Sequence, residues 1–294
     1  MATLYTHQGE NIRKTWFLMG AFLALVIAIG YGVAWYLETP VILYIAIVFA
    51  LVMNIGSYWW SDKLVLKMTG AKPANLHEHR DLVSVVETLA ITAGLPTPKV
   101  YVVYDDAPNA FATGRNPEHA VVAATTGLLQ ILDRTELEGV MAHELAHVGN
   151  RDMLVMTVTV VLAGFIAILA DIFTRALFFG GDNDKKHPAF LIIAIVGIVL
   201  APLAAQLIKM AVSRKREYLA DASGALLTRY PEGLASALEK ISSRNQPMKR
   251  ANHATAHLFI SDPFGNKAKS LGQKINNLFQ THPPVDERIK RLRT

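Results

Sequence analysis

The stretch His143-Glu144-Leu145-Ala146-His147 is the most informative part of the chain. In an α-helix, two histidines four positions apart lie above one another on one face, so both rings can reach the same metal ion. The glutamate that follows the first histidine is angled to reach water at that ion. The stretch therefore predicts a helix that carries two metal ligands and a reactive carboxylate.

The limits of this helix follow from the residues around it. We expect Thr135 to be the N-cap, with Glu138 three positions later completing a capping box. The helix should run to Gly149 and Asn150, because both residue types are common where helices end. The two histidines would then occupy its last turns.

The chemistry of this pattern favours hydrolysis with zinc. The chain has no cysteine, so a metal must be held by nitrogen and oxygen. Zinc with two imidazoles, one carboxylate and an open position lowers the pKa of bound water to about 7 and polarises a peptide carbonyl. Glu144 would accept the proton and later pass it to the leaving amine. Because so short a motif is only suggestive, the assignment requires a third ligand.

Residues 216–221, which read Arg-Glu-Tyr-Leu-Ala-Asp, offer that ligand. Glu217 and Asp221 are four apart on a predicted helix, so Glu217 can bind the metal while Asp221 accepts the ring N–H of a liganding histidine. The alternative is a helix cap, or surface carboxylates paired with Arg214 and Lys215. Both interpretations remain open from the residues alone.

Long apolar runs explain the composition, because 52% of the 294 residues are hydrophobic and only 18% are charged. Residues 15–37 and 39–61 contain no charged residue, and each exceeds the roughly 20 residues that cross a bilayer. Residues 153–170 and 188–208 predict a second pair of spans. A shallow hairpin partly buried in protein is the alternative for this second pair, since Pro202 should bend it.

The second pair of runs divides the predicted site into two halves. Two crossings return the chain to the side that it left, so His147 and Glu217 can meet. We therefore expect four parts in the chain. They are an N-terminal transmembrane hairpin (1–62), the first half of a protease domain (63–152), a second membrane hairpin (153–212) and the second half of that domain (213–294).

The positions of the basic residues predict the orientation. Arg13 and Lys14 precede the first run and Lys63 follows the second, whereas the link between the two runs carries no positive charge. We expect a multi-pass protein of the plasma (inner) membrane with its catalytic domain in the cytoplasm. The first run is too long for a cleavable signal peptide. We attribute the net charge of +5 to anchoring on lipid and expect no nucleic-acid partner.

The polar region before the metal motif predicts a mixed α and β unit. An amphipathic helix should cover residues 81–92. Short strands should cover residues 99–104, 110–113 and 119–125. This region would provide the sheet against which the metal-binding helix packs.

Several further motifs occur in order along the chain. They are Asn109-Ala110-Phe111-Ala112-Thr113-Gly114, residues 122–129, the His143 to His147 pattern, Glu217 to Asp221, Thr281-His282-Pro283-Pro284 and Glu287-Arg288-Ile289. With these motifs the chain closely resembles, over nearly its whole length, the HtpX-type membrane zinc proteases of bacteria and archaea. That family is related to the CAAX prenyl endopeptidases and to the mitochondrial Oma-type proteases.

The resemblance implies a multi-pass α-helical membrane protein with an α+β zincin, gluzincin-like catalytic domain. It implies one Zn²⁺ per chain on His143, His147 and Glu217, with Glu144 as the base. It also implies a stress-related role in clearing damaged or misassembled membrane proteins. The expected partners are membrane proteins or unfolded polypeptides and the lipid bilayer, and oligomeric assembly is left open.

The resemblance also suggests where substrate binds. In zincins an exposed edge strand beside the active-site helix pairs with extended substrate. Residues 110–113 or 119–125 could be that edge, which makes Asn109, Ala110, Phe111 and Ala112 candidates for substrate binding, although either strand could be purely structural. His282, held between Thr281 and two prolines, is a candidate to stabilise the oxyanion, and the alternative is a surface histidine in a turn.

Two other functions fit parts of the sequence. A zinc-binding membrane transporter would explain the apolar runs, but few polar residues lie at membrane depth to form an ion path. A non-catalytic relative that only binds membrane proteins would have no evident need for Glu144. Zinc content and peptide hydrolysis would distinguish the three.

Overall fold

The structure, a computed structural model, describes residues 4–179, 214–244, 246–252, 255–265 and 283–294. The helices are α1 (Leu4–Tyr36), α2 (Val41–Trp59), α3 (Ser61–Thr69), α4 (Arg80–Ala93), α5 (Thr126–Ile131), α6 (Arg134–Gly149), α7 (Asp152–Phe179), α8 (Arg214–Thr228), α9 (Pro231–Ser243) and α10 (Val285–Leu292). The strands are β1 (Lys72–Pro73), β2 (Lys99–Val103), β3 (Ala110–Thr113) and β4 (Val121–Thr125). They form an apolar helical hairpin followed by an α+β unit.

The hairpin is made by α1 and α2. Within the described part of the chain, these two helices are long and apolar enough by themselves to cross a membrane, with mean hydropathies of 2.3 for Gly9–Tyr36 and 2.2 for Val41–Trp59. Large apolar side chains such as Tyr44, Val48 and Val52 are exposed along α2, as expected of a surface that faces lipid. The two predicted N-terminal spans thus correspond to helices.

The third predicted run lies in α7, which starts directly after α6. α6 and α7 are bent by 82° relative to each other, and they add a third candidate span only when taken together as one bent span. Leu154 and Val158 of α7 pack against Leu18 and Phe22 of α1. The fourth run, residues 188–208, lies outside the described residues, so the second membrane hairpin remains a prediction.

A mixed sheet has the strand order β1-β2-β4-β3. β2 and β4 are parallel, and β3 is antiparallel to β4. Of the two strands predicted as possible substrate edges, residues 110–113 are therefore at the end of the sheet and the other strand is inside it. The inner strand begins later than predicted, because Pro117–His119 forms a 3-10 turn capped by the Asn116 side chain.

The predicted N-cap of α6 was wrong. Asp133, not Thr135, caps the helix: its carboxylate accepts from the N–H of Glu136, whose carboxylate accepts from the N–H of Asp133. Two pairs of residues have the spacing of a capping box: Asp133 with Glu136, and Thr135 with Glu138. The first pair is favoured because Glu136 is buried and also bonded to Ser236 and Lys240 of α9.

α6 is the central helix of the α+β unit. Leu137, Val140, Met141 and Leu145 are buried in one core together with residues of α4, β4 and α9. Because the helix is covered on several sides, its metal motif lies in the interior. The C-terminal end is as predicted, with Gly149 as the last helical residue and Asn150 as the C-cap.

Candidate metal centre

Two histidines of α6 lie next to each other in the interior. Both side chains are buried, and the Nε2 atoms of His143 and His147 are 3.2 Å apart. This is the arrangement expected of residues one helical turn apart on one face. The two rings thus present one nitrogen each to a common point.

The third candidate ligand comes from α8. The carboxylate of Glu217 is buried, with one oxygen 3.9 Å from His143 Nε2 and the other 3.7 Å from His147 Nε2. One ligand atom from each of the three residues lies within 4.8 Å of the others. The structure thus brings together the three predicted ligands, although 69 residues lie between His147 and Glu217 in the chain.

These separations suit a single zinc ion. Bonds of about 2.0–2.2 Å to a tetrahedral ion place neighbouring donor atoms roughly 3.3–3.6 Å apart. The corresponding separations here are 3.2, 3.7 and 3.9 Å. Two imidazoles and one carboxylate form a donor set that leaves a coordination position open for chemistry. The side chains therefore fit the metal that the motif implies.

A glycine sets the distance between α8 and α6. A Cβ atom at Gly224 would lie 3.0 Å from the backbone nitrogen of His143. A larger side chain would push the helices apart, because packed helices accommodate little extra volume. Gly224 thus allows Glu217, two turns earlier on α8, to reach the two histidines.

Asp221 holds His143 on the side away from the cluster. Its Oδ1 lies 2.9 Å from His143 Nδ1, and the buried Arg288 of α10 donates to both of its oxygens at 2.7 and 2.9 Å. Burial alone would raise the pKa of Asp221, but the Arg288 guanidinium and the hydrogen bond from His143 outweigh it and lower that pKa to about 2. An ionised Asp221 keeps the proton on Nδ1 and leaves Nε2 for the metal.

Asp152, the first residue of α7, holds His147 in the same way. Its Oδ2 lies 3.1 Å from His147 Nδ1, and the carboxylate is buried. The sequence motifs give Asp152 no predicted role. One signal was available in the sequence: Asp152 lies five positions after the second histidine and directly before an apolar run. A charge without a partner is costly at the edge of such a run, so a partner for Asp152 was to be expected.

Arg288 is the second residue of the site for which the sequence predicted no role. It lies in the Glu287-Arg288-Ile289 motif, is fully buried, and has Asp221 as its carboxylate partner. A buried guanidinium requires such a partner. The indication available in the sequence was the position of Arg288, a basic residue on the inner face of a short amphipathic helix.

The two histidines differ in their protonation. Burial lowers the pKa of His143, which favours the neutral ring. Burial acts in the same direction on His147, but the hydrogen bond to Asp152 and the charge of Glu217 outweigh it and raise the pKa of His147 to about 9. In the absence of a metal, the directions of these shifts place one positive charge on the pair at neutral pH, on His147.

Glu144 is buried next to the ligands. Burial raises the pKa of Glu144 to about 7, and the backbone N–H of Ala112 in β3 donates a hydrogen bond to its carboxyl group. A cation at the three ligands would favour the ionised carboxylate. Glu144 thus lies where a proton acceptor is needed, between the metal ligands and the edge strand.

Another part of the chain already pairs with the beginning of β3. Residues 256–261, called here the crossing segment, run along its outer edge. The N–H of Ile260 donates to the carbonyl of Ala110 at 3.0 Å, and the side chain of Asn109 bonds both the carbonyl and the N–H of Ser261, at 2.9 and 3.2 Å. Asn109 and Ala110, two of the predicted substrate-binding residues, therefore have polar partners within the protein.

The other two predicted substrate-binding residues differ from each other. The ring of Phe111 packs edge-on against Phe259 of the crossing segment, whereas Ala112 contacts Glu144 through its backbone. Of these four residues, Ala112 is thus the one whose backbone bonds the Glu144 carboxyl group. His282, the candidate for stabilising the oxyanion, lies outside the described residues and stays a prediction.

Known proteins are similar to this chain over most of its length. The model of the family described as Peptidase family M48 matches residues 76–294. A protein named Protease HtpX homolog from Thermoanaerobacter pseudethanolicus is 47% identical, and the match covers 99% of this chain and 98% of that protein. A protein of the same name from Pyrococcus abyssi is also 47% identical, over 95% of each chain.

A solved structure shares the fold. The crystal structure of S. mikatae Ste24p matches 99% of this chain and 67% of its own, with a TM-score of 0.53 and 20% sequence identity. The metal motif and Glu217 both lie in the region that the family model matches. Since this region is most of the chain and the relatives match over nearly their full length, the chain belongs to peptidase family M48.

Proposed function

We propose that this metallopeptidase is a zinc-dependent endopeptidase of the plasma membrane that cleaves misfolded or damaged membrane proteins. The observation that carries the proposal is the buried cluster of His143, His147 and Glu217 with Glu144 beside it. Two helices able to cross a membrane support the location. The relatives named as proteases support the activity.

The proposed roles follow from the positions of the side chains. His143, His147 and Glu217 would hold one Zn²⁺, and an ion bound there would supply Lewis acidity toward water and the peptide carbonyl. Glu144 accepts a proton from the attacking water and donates it to the leaving amine. Asp221 and Asp152 keep the Nδ1 protons of the histidines in place.

Substrate binding is proposed at the Ala112 end of β3. The Ala110 carbonyl and the Asn109 side chain are bonded to the crossing segment, and the Ala112 N–H is bonded to Glu144, so an extended substrate would pair from the Ala112 carbonyl onward. Backbone pairing of this kind gives affinity with little side-chain selectivity, as removal of diverse damaged proteins requires. The scissile bond would then lie next to Glu144.

The proposal is tested by measuring the zinc content of the purified full-length protein and its hydrolysis of an unfolded membrane-anchored reporter. We expect about one zinc per chain, loss of cleavage on chelation and recovery when zinc is added back. A zinc transporter or a non-catalytic relative would bind zinc or reporter without producing new peptide ends, and that result would reject the proposal.

The cytoplasmic orientation is tested with single cysteines, which is feasible because the chain has none of its own. We expect a membrane-impermeant thiol reagent to label Thr39→Cys, in the exposed link between α1 and α2, in intact cells. It should label Thr294→Cys only after the membrane is permeabilised. The reverse pattern would place the catalytic domain outside.

Zinc binding is expected to strengthen as the pH rises. The pKa of His147 in the metal-free site is raised to about 9, so below that pH zinc must displace a proton. The dissociation constant for zinc should therefore fall about tenfold per pH unit between roughly pH 6 and 8. Competition with a chelator of known pH dependence measures this. A dissociation constant independent of pH would show that His147 is already neutral.

Asp221→Asn is expected to weaken zinc binding by about tenfold to a hundredfold, because the neutral amide no longer fixes the His143 ring. Thermal stability should fall as well, since Arg288 loses its buried partner. The matched control is Glu232→Gln, which removes a carboxylate from an exposed pair with Arg293. Unchanged zinc affinity in folded Asp221→Asn would remove Asp221 from the metal site.

A further inference from the structure

Asn11 is a buried polar residue at the start of the first membrane helix. It lies in α1, one turn before the apolar run that begins at Thr15, and its side chain is only 3% exposed. A buried amide is costly unless its hydrogen bonds are satisfied. The partners of Asn11 therefore indicate why it is there.

The amide nitrogen of Asn11 bonds both sides of the corner between α6 and α7. It donates to the carbonyl of Asn150 at 3.0 Å and to Oδ1 of Asp152 at 2.6 Å. Between these partners, Arg151 has a φ of 57°, a left-handed conformation that is uncommon for a residue other than glycine. Asn11 thus closes the turn at which the chain leaves the metal-binding helix.

The carboxylate of Asp152 connects these contacts to His147, a proposed metal ligand. Oδ1 of Asp152 accepts from Asn11, and Oδ2 lies 3.1 Å from Nδ1 of His147. Rotation about the last bond of an aspartate is soft, so a donor on one oxygen fixes the direction of the other. The Arg216 guanidinium lies 3.6 Å from Oδ1 but makes no hydrogen bond within the described residues.

We propose that Asn11 is a positioning residue of the metal site, through which the first membrane helix orients His147 by way of Asp152. This inference rests on the proposed zinc site. α1 then has a second role besides anchoring. Because α1 packs against α7, the Asn11 side chain on α1 can donate a hydrogen bond to Asp152 at the site. Metal affinity then depends on the first membrane helix.

The test compares zinc dissociation constants of full-length protein in detergent, by chelator competition. Asn11→Leu keeps a similar volume and removes the donor. We expect it to raise the zinc dissociation constant about tenfold, the low end of the range for groups that support a ligand, because Arg216 partly holds Asp152. The control is Asn54→Leu, the same change at a buried amide whose nitrogen donates to Ala50 of its own helix, and we expect no change in zinc affinity.

A double-mutant cycle separates positioning from loss of folding. In an Asp152→Ala background the route to His147 is absent, so adding Asn11→Leu should leave the zinc dissociation constant unchanged. An equal effect with and without Asp152, or no effect of Asn11→Leu in the wild type, would overturn the inference. If the wild-type protein binds no zinc, it is the proposed function that fails.

Discussion

Glu144→Gln is expected to reduce peptide hydrolysis by about a hundredfold to ten-thousandfold while zinc content stays near that of the wild type. The loss is of the size expected when a general base is removed. Glutamine keeps the shape of the side chain but cannot accept the proton. Because Glu144 is assigned to the water and not to the metal, the three ligand atoms of the cluster are unaffected.

The measurement pairs metal analysis with initial rates of reporter cleavage for the same preparation. Raising the pH should not restore full activity in the variant, since no carboxylate remains to be ionised. Glu118→Gln, on the exposed 3-10 turn, is a control that should cleave at the wild-type rate. An empty metal site in well-folded Glu144→Gln would overturn the separation of base and ligand.

Glu217→Ala is expected to lose zinc and activity together. The change removes one of the three protein ligand atoms. It also removes a negative charge that, together with the charge of Asp152, favours positive charge at His147. Two imidazoles alone bind zinc far more weakly than the full set. The metal content of the purified variant should therefore be close to zero after exposure to a mild chelator, and cleavage should not be detectable.

Two further variants make this result interpretable. Glu217→Gln retains the volume and one oxygen, so partial zinc binding with a folded protein would show that the loss is not a packing defect. Glu138→Ala removes a carboxylate paired with Arg134 at the surface of α6 and should keep its zinc. Full zinc occupancy in Glu217→Ala would move the search for a third ligand to His282 or another carboxylate.

The sequence predicted the parts of the site that local geometry determines. Histidines four apart on a helix must share a face, and Glu217 was expected beside them because the two predicted crossings would return the chain to the same side. Strand 110–113 followed from its local composition and was found with the same limits. The N-cap was misassigned because Asp133 and Thr135 satisfy the same local rule, and only the burial of Glu136 against α9 distinguishes them.

The remaining parts depend on contacts between distant segments. Asn11 meets Asp152 across 141 positions and Arg288 meets Asp221 across 67, and no spacing rule connects such pairs. The crossing segment is a similar case, since a strand at the end of a sheet looks the same in sequence whether or not another segment covers it. These features arise from the packing of helices whose order in space the sequence pattern does not determine.

With the proposed function, the corner at Asn11 would also limit which peptide bonds can reach Glu144. The uncharged run of α1 begins one turn after Asn11, and α7 begins at Asp152, beside His147. On the proposed membrane placement, the cluster of His143, His147 and Glu217 would lie close to the level where α1 enters the lipid. A chain tethered in the same bilayer extends by about 3.3 Å per residue, so a short stretch next to its membrane anchor suffices to reach Glu144. For the proposed membrane-protein substrates, a shared membrane would raise the local substrate concentration and would make tight recognition of a particular sequence unnecessary.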